Sequence, residues 1–186
     1  MQLFGSYTSP FVRHCRIALI ETGIAAEFIE TDNSASDRQS PTKRVPFFRA
    51  GELMLTDSAS IVRYLREQAG QKFLATVQEH DQYCLVCTSL DACVNIFFLE
   101  RDGITTEQSS YLQRQQARVT SSLQELAQLS LPDHAPYNDM HLRLACYLAW
   151  GVYRNRIALD DYPALGRFLQ HINNYEPFAR TAPPAL

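Results

Sequence analysis

The sequence predicts an α/β domain followed by an all-α domain. Strand-like and helix-like segments alternate over the first seventy residues, whereas the remainder carries long amphipathic segments of helical period and no strand-like run. The change falls at Gln71 to Thr76, so we expect an N-terminal α/β domain over residues 1–72 and an all-α C-terminal domain over residues 78–186. A hydrophobic content of 46% in 186 residues is sufficient for both cores.

Charge and composition narrow the range of partners. The net charge of -3 gives no basic surface for nucleic acid or for an anionic membrane. No window approaches 18 uninterrupted apolar residues, and strand-like sequence stands where a secretory signal would be, so we expect a cytoplasmic protein. Five irregularly spaced cysteines favour reduced thiols over a disulfide framework.

The first part of the α/β domain reads as a strand, a helix and a second strand. The pattern predicts strands at residues 2–5 and 27–31 and a helix over 10–23 that ends at Gly23. Two strands joined in this way normally lie parallel. The polar residues 34–42 give no clear prediction.

The second part of this domain reads as a hairpin followed by a helix. Residues 45–48 and 53–55 are apolar and flank a turn at 50–52, which predicts two antiparallel strands. A helix capped by Thr56 or Asp57 is then expected to run to about Gln68. The later helices are expected at about 76–101, 107–130, 139–154 and 163–175.

The helix after the first strand has a marked N-terminal signal. Serine is a preferred N-cap and proline is favoured at the first helical position, so Ser9 and Pro10 predict a helix start. The unpaired amides and the positive end of the helix dipole then surround the Ser9 hydroxyl. A strand that leads into a capped helix can hold an anion at this point.

Two further positions in this domain indicate a ligand with a peptide backbone. Pro46 opens a buried strand without donating a ladder hydrogen bond, and Val45 before it is pushed into an extended conformation. Such a strand end can pair with a ligand's own backbone. Asp57 and Ser58 place a carboxylate, a hydroxyl and unpaired amides at the next helix start, a combination that suits an amino-acid head group, although capping sequences of this kind are common.

Together these segments resemble the cytosolic glutathione transferases, in a bacterial-type form with serine at the active-site position. SYTSPFVRHCRIAL is similar to the family's first strand, active-site turn and first helix, RVPFF to its valine and cis-proline, and TDSASIVRYL to its acidic-serine motif. Asp139 and the Leu148-Ala149-Trp150 run resemble the family's core helix, and YPALGRFLQHINNYEPFARTAPP its C-terminal signature. The resemblance spans nearly the whole chain.

The resemblance implies a thioredoxin-like N-terminal domain that binds glutathione as co-substrate, without a metal. Val45 would pair with the cysteinyl backbone of glutathione and Pro46 would be cis. Asp57 and Ser58 would hold the γ-glutamyl end, and Arg44 or Lys43 would meet the glycyl carboxylate. Ser9 would occupy the active-site position.

The resemblance also implies a helical domain that supplies the pocket for a small electrophile, and a homodimer formed through the last helix of the first domain and the first long helix of the second. A non-catalytic member of the same fold, acting as a partner-binding or regulatory protein, stays open as an alternative. The family's usual cap before the core helix is replaced here by Pro136, so Asn138 is expected to cap the helix of Asp139.

A serine hydroxyl at position 9 suits thiol activation. Lowering a thiol pKa from about 8.5 by two units requires roughly 2.7 kcal/mol in favour of the thiolate. One hydrogen bond to a charged group supplies about 1.5 to 3 kcal/mol and a helix N-terminus up to about 2 kcal/mol more. Serine cannot form a mixed disulfide, which favours conjugation over thiol-disulfide exchange. Tyr7 in the same turn is the alternative donor.

Other clusters of reactive residues have simpler interpretations. Cys15 shares a helical face with apolar residues and is expected in the core. His14 lies about 140° around the helix from Ser9, so a Ser9-His14-Asp57 hydrolase triad is disfavoured. His80, Cys84 and Cys87 share a face, but the outer two would be about 10 Å apart along the axis, too far for one zinc ion.

Aromatic side chains of the helical domain are candidates for an apolar acceptor pocket, although aromatics at helical spacing more often form a core. They are Phe97, Phe98, Tyr111, Tyr147, Trp150 and Tyr153. The identity of the electrophile is not encoded in this pattern.

Overall fold

The computed structural model describes residues 1–32, 36 and 38–185. Within them the chain forms two compact units. One consists of Met1–Ala75 together with the segment from Asn173, and the other of Thr76–Ile172. The polar segment 34–42, for which the sequence gives no clear prediction, lies partly outside the described residues.

The first unit contains a mixed four-stranded sheet. Its elements are β1 (Gln2–Gly5), α1 (Pro10–Thr22), β2 (Glu27–Glu30), β3 (Phe47–Ala50), β4 (Leu53–Leu55) and α2 (Ser58–Gln68). The strand order is β2-β1-β3-β4, with β1 parallel to β2 and antiparallel to β3, and β3 antiparallel to β4. The predicted βαβ unit and hairpin are therefore confirmed, and together they form a thioredoxin-like domain.

The core of this unit lies between the sheet and its two long helices. Leu3 of β1 and Phe48 of β3 are register partners and are fully buried. Cys15 and Ala18 of α1 pack into the same cluster as these residues. The apolar face of α2 completes the cluster with Ile61, Val62 and Leu65. Alternation along each strand thus places the same face of the sheet against both helices.

The second unit is helical. Its elements are α3 (Val77–Arg101), a 3₁₀ turn (Thr106–Gln108), α4 (Ser110–Leu126), α5 (Asp139–Tyr153), a second 3₁₀ turn (Leu159–Asp161) and α6 (Pro163–Ile172). The helix expected at 107–130 begins later than predicted because Ser109 caps it, and it also ends earlier, at Leu126. Asn138 caps α5 through a bond of 3.0 Å from the His141 amide, as predicted.

The longest helix of this unit, α3, has the length and mean hydropathy of a membrane-crossing segment. An 18-residue window within its 25 residues has a mean hydropathy of 1.4. Core helices of soluble proteins meet the same criterion, so one such helix is weak evidence for a membrane span. Several of its side chains, among them Tyr83, Val86 and Leu90, are buried in the helical core.

The C-terminal segment returns to the first unit. The predicted helix 163–175 ends at Ile172, and a short helix α7 (Glu176–Arg180) follows. The sequence analysis places this segment with the helical domain, whereas the structure packs it on α1. The physical reason is Arg13, whose guanidinium stacks on Phe178 at 3.7 Å and donates to the Phe178 carbonyl at 2.8 Å.

Candidate functional site

Ser9 stands at the point where the chain leaves β1 and enters α1. Its backbone is extended, with φ -80° and ψ 127°, and its Oγ accepts a hydrogen bond of 3.3 Å from the Val12 amide. Its own amide donates to the Ser6 carbonyl at 3.1 Å. The predicted N-cap is thus confirmed, and the half-buried Ser9 hydroxyl keeps its own O–H as a donor.

Gly5 allows β1 and α1 to approach closely beneath this turn. A Cβ at position 5 would lie 2.5 Å from a methyl group of Val12. Any side chain here would push the first turn of α1 away from the strand. Gly5 is therefore a positioning residue for Ser9 that the sequence analysis missed, although a glycine at the end of a strand is a signal for such an approach.

Tyr7 lies in the same turn but packs elsewhere. Its ring contacts Phe28 of β2 with a centroid distance of 4.7 Å, and the Arg16 guanidinium lies 4.7 Å from the Tyr7 centroid. The side chain remains 36% exposed. The tyrosine ring is therefore held against β2 and α1 by contacts of its own.

Val45 and Pro46 extend β3 beyond the end of its partner strand. The peptide bond between them is cis, as the family resemblance implies. The β3–β4 register stops at Phe48 and Leu55, so Val45 lies past the last pair. Among the described residues, the backbone of Val45 makes no hydrogen bond, and the residue is half-buried. This strand end has the open donor and acceptor that the sequence analysis predicts.

The same strand end lies beside the terminus of β1. Phe4 is paired with Phe47 in the β1–β3 register, and the two rings stack at 4.4 Å. Continuing that register places Pro46 next to Gly5, from which the chain runs to Ser9. The open strand segment and the start of α1 are thus brought to one edge of the sheet.

Lys43 and Arg44, the two candidate cations, precede this strand and are both exposed. Lys43 has φ 52°, in the left-handed region, and its amide donates to the Ser40 carbonyl at 3.0 Å. The turn therefore has a defined backbone that leads directly into Val45.

Asp57 and Ser58 form the start of α2. The Asp57 carboxylate caps the helix, with Oδ1 accepting from the Ala59 amide at 2.8 Å and from the Ser60 amide at 3.2 Å. Oδ2 takes part in neither bond, and the side chain is exposed. Ser58 is buried, and its carbonyl accepts from the Cys15 thiol at 3.8 Å. Asp57 thus caps its helix with one of its two carboxylate oxygens.

Several cysteine and histidine residues away from this sheet edge are buried, and those on α3 form no metal site within the described part of the chain. Cys15 and His14 are fully buried. Cys93 lies in the helical core, where burial raises the pKa of its thiol to about 11. On α3, His80 Nδ1 lies 3.8 Å from Cys84 Sγ, and among the described residues no group of three potential ligands is close enough to hold a metal ion.

The aromatic candidates of the helical unit divide into two sets. Tyr147 and Trp150 are buried, and the Tyr147 hydroxyl shares a hydrogen bond of 2.8 Å with Ser89 Oγ, so both belong to the core. The remaining aromatic candidates are half-buried or exposed, namely Phe97, Phe98, Tyr111 and Tyr153.

Comparison with known proteins finds a family match in the first unit. Residues 3–73 match the family described as glutathione S-transferase, N-terminal domain. This match covers the sheet from the second residue of β1, Ser9, the cis-proline and all of α2. The mixed-sheet N-terminal domain with an all-helical second unit is the fold of that family.

Individual relatives and solved structures extend the similarity over the full chain. The Uncharacterized GST-like protein YibF of Escherichia coli (strain K12) is 28% identical over 203 residues, covering 99% of each chain. A glutathione S-transferase of Methylobacterium radiotolerans JCM 2831, in complex with glutathione sulfonate, has a TM-score of 0.85 at 20% identity and covers 100% of this chain and 95% of its own. A glutathione S-transferase of Methylobacillus flagellatus KT with bound GSH has a TM-score of 0.84 at 20% identity, with coverage of 98% and 99%.

Proposed function

We propose that this protein is a glutathione transferase that activates the glutathione thiol for attack on a small electrophile. The observation that carries the proposal is the sheet edge at which the open, cis-proline strand end of Val45 and the start of α1 at Ser9 lie together. The relatives crystallised with glutathione or its sulfonate add support, because they share the fold.

In this proposal the tripeptide lies antiparallel to Val45, whose amide and carbonyl pair with the cysteinyl backbone as an added strand would. Asp57 and Ser58 receive the γ-glutamyl ammonium and carboxylate, since the unused Asp57 oxygen is an acceptor and the α2 amides are donors. Lys43 or Arg44 meets the glycyl carboxylate at the exposed end. No metal takes part.

Ser9 is the group we assign to the sulfur. Its O–H donates to the thiolate while its Oγ continues to accept the Val12 amide, and the N-terminus of α1 stabilises the negative charge. The alternative donor, Tyr7, is held by Phe28 and Arg16 at its ring. The thiolate then displaces a leaving group from the electrophile or adds to it, and sulfur ends in a thioether.

The remaining features of the proposal come from the family resemblance. We expect a cytoplasmic homodimer that uses α2 and the first part of α3, and a role in detoxification. The serine at position 9 disfavours thiol-disulfide exchange, because a hydroxyl forms no mixed disulfide. A non-catalytic, partner-binding protein of the same fold is the competing hypothesis.

A thermal-shift titration with glutathione tests the binding site without knowledge of the electrophile. A ligand that binds only the folded state at 100 times its Kd adds about 2.7 kcal/mol to stability, so millimolar glutathione should raise Tm by several degrees. Ophthalmate, which replaces the thiol by a methyl group, is the matched control and should stabilise the wild type similarly. No shift with either peptide would favour the non-catalytic alternative.

Turnover is then tested with 1-chloro-2,4-dinitrobenzene as the electrophile. We expect a glutathione-dependent increase in absorbance that Ser9→Ala abolishes while the thermal shift by ophthalmate is retained. If Ser9→Ala keeps full activity and Tyr7→Phe loses it, the assignment of Ser9 is wrong and Tyr7 is the donor. If binding is normal and no electrophile reacts, the transferase proposal fails.

A further inference from the structure

We propose that Arg101, Arg154 and Arg156 form a binding site for the carboxylate of a flat aromatic acid at the ring of Phe97. The guanidinium carbons lie 5.8, 5.5 and 5.3 Å from the Phe97 centroid, so all three cations surround one ring. Three arginines around one aromatic ring are far more than a cation–π contact requires.

The chain is shaped to bring two of these arginines together. Asn155, between them, has φ 54°, in the left-handed region, which reverses the chain after the last turn of α5. The amides of Arg154 and Arg156 donate to the carbonyls of Trp150 at 2.9 Å and Gly151 at 2.7 Å. The backbone of both residues is therefore fixed before any ligand arrives, which lowers the entropic cost of binding.

The three arginines carry more positive charge than the carboxylates paired with them in the described part of the chain can neutralise. Glu100 forms an ion pair with Arg156, whereas Arg101 and Arg154 have no carboxylate partner among the described residues. A positive excess in a chain of net charge -3 marks a local patch rather than a general property of the surface. Like charges in proximity destabilise one another, and a bound anion would relieve that repulsion.

Hydrogen-bond donors are also unsatisfied at this position. The Nε atoms of Arg154 and Arg156 are buried without a hydrogen-bond partner in the described structure. The Arg154 guanidinium lies 4.7 Å from the Tyr153 centroid as well as near Phe97, so two aromatic rings contact the guanidinium group itself. Its Nη groups then remain as a fork of donors for a carboxylate.

The surroundings favour an aromatic acid over a small inorganic anion. Phe98 is 41% exposed beside Phe97, with a centroid distance of 5.4 Å. A flat ligand ring can pack on this apolar surface while its carboxylate meets the arginines. Every residue of the site lies in the helical unit, and none is among the residues assigned to glutathione, so glutathione binding and binding of the aromatic acid can each fail while the other stands.

The only tryptophan of the chain reports on this site. Trp150 packs edge-on against Phe97 at 5.7 Å. We would titrate the full-length protein, free of glutathione, with 4-nitrobenzoate, whose nitroaromatic ring quenches indole fluorescence, and with 4-nitrobenzamide as the uncharged equivalent. We expect saturable quenching by the acid and an affinity at least about tenfold lower for the amide.

Variants that remove one positive charge then test whether 4-nitrobenzoate binds at these arginines. Arg101→Gln and Arg154→Gln should each weaken 4-nitrobenzoate binding by at least about fivefold, and Arg154→Lys, which keeps the charge but not the fork, by less. Arg114→Gln on α4 is the control for loss of one positive charge, since Arg114 is exposed like Arg101, and it should change the affinity by less than about twofold. Melting curves verify that each variant is folded.

Three results would overturn the proposal. The first is equal affinity for the acid and the amide, which would indicate an apolar site only. The second is wild-type affinity in both Arg101→Gln and Arg154→Gln. The third is an equal loss in Arg114→Gln, which would indicate a diffuse effect of net charge.

Discussion

The Ser9 hydroxyl serves two groups at once. Its oxygen accepts the Val12 amide at 3.3 Å and so begins α1, and in the proposed reaction its hydrogen points to the sulfur of glutathione. Acceptance and donation use different parts of a hydroxyl, so the two roles do not compete. Removing the hydroxyl therefore affects both stability and chemistry, and the two effects have to be separated.

A second serine cap in the chain provides that separation. Ser109 Oγ accepts the Leu112 amide at 3.5 Å at the start of α4, in the helical unit. We expect Ser9→Ala and Ser109→Ala each to lower the free energy of unfolding by about 1 kcal/mol, because each removes an N-cap. Only Ser9→Ala should abolish conjugation. Urea unfolding and the dinitrobenzene assay measure the two effects, and a comparable loss of activity in Ser109→Ala would show that stability alone explains the result.

At the scale of elements, a hydrogen bond links the N-terminal caps of α3 and α5. Thr76 and Glu79 form a capping box at the start of α3, and Glu79 Oε1 also accepts from the Asn138 side chain at 3.1 Å. Asn138 in turn caps α5, while its amide donates to His141 Nδ1 at 3.3 Å. One carboxylate therefore stabilises the starts of two helices, and the cluster depends on a neutral His141.

This dependence predicts a loss of stability in mild acid. Burial lowers the pKa of His141 below its ordinary value of 6.5 in the folded protein. The unfolded chain therefore takes up the proton first, so the contribution of His141 is present above pH 6.5 and is lost as the pH falls through the lower folded pKa. His141→Asn keeps an acceptor near Nδ1 without the titration.

Unfolding free energies of the wild type and His141→Asn, measured by urea at several values between about pH 7.5 and pH 5, test this expectation. The wild type should lose more stability than the variant as the pH falls. Parallel pH profiles for the two proteins would show that His141 does not titrate differently in the folded state.

The turn after α5 depends on a glycine. A Cβ at Gly151 would lie 2.4 Å from Ile157 Cδ1, and the Gly151 carbonyl accepts from the Arg156 and Ile157 amides at 2.7 and 3.2 Å. We expect Gly151→Ala to lower the free energy of unfolding by about 1 to 3 kcal/mol through overpacking. Ile157→Ala should remove the clash, so the double variant should be more stable than the sum of the single changes implies. Additive effects in urea unfolding would contradict this close approach.

Local sequence patterns were sufficient to predict most helices and strands and the sheet edge that contains Val45 and Ser9. Ser9, Pro10 and Gly23 bound α1 as expected, because capping chemistry acts over a few residues. The end of α4 at Leu126 and the cis bond between Ala135 and Pro136 were not predicted, since neither has a distinct local pattern. The roles of Lys43, Arg44, Val45, Asp57 and Ser58 toward a ligand remain predictions.

At the scale of the whole molecule, the longest-range contacts join the two ends of the chain. Arg13 and Arg16 of α1 donate to the carbonyls of Phe178 and Thr181 at 2.8 and 3.2 Å. Farther along α1, Glu21 accepts from the Tyr175 hydroxyl at 2.6 Å and forms an ion pair with Arg66 of α2. The contacts of Arg13, Arg16 and Glu21 with the C-terminal segment join residues more than 150 positions apart, so no periodicity in the sequence indicates them.

The anchor of this segment is Phe178, which is fully buried. We expect Phe178→Ala to lower the free energy of unfolding by about 3 to 5 kcal/mol, since it removes a buried ring and the surface on which Arg13 stacks. Tyr111→Ala is the matched aromatic control, because Tyr111 is 66% exposed, and it should change stability by less than about 0.5 kcal/mol. Similar losses in both variants, measured by urea unfolding, would show that the C-terminal segment does not contribute through Phe178.

The return of residues from Asn173 onward to α1 has a consequence for synthesis of the protein. A nascent chain that has left the ribosome only as far as Ile172 contains strands β1 to β4 but lacks the Phe178 and Thr181 carbonyls to which Arg13 and Arg16 donate. The first unit therefore gains these hydrogen bonds only after residues 173–181 have been translated.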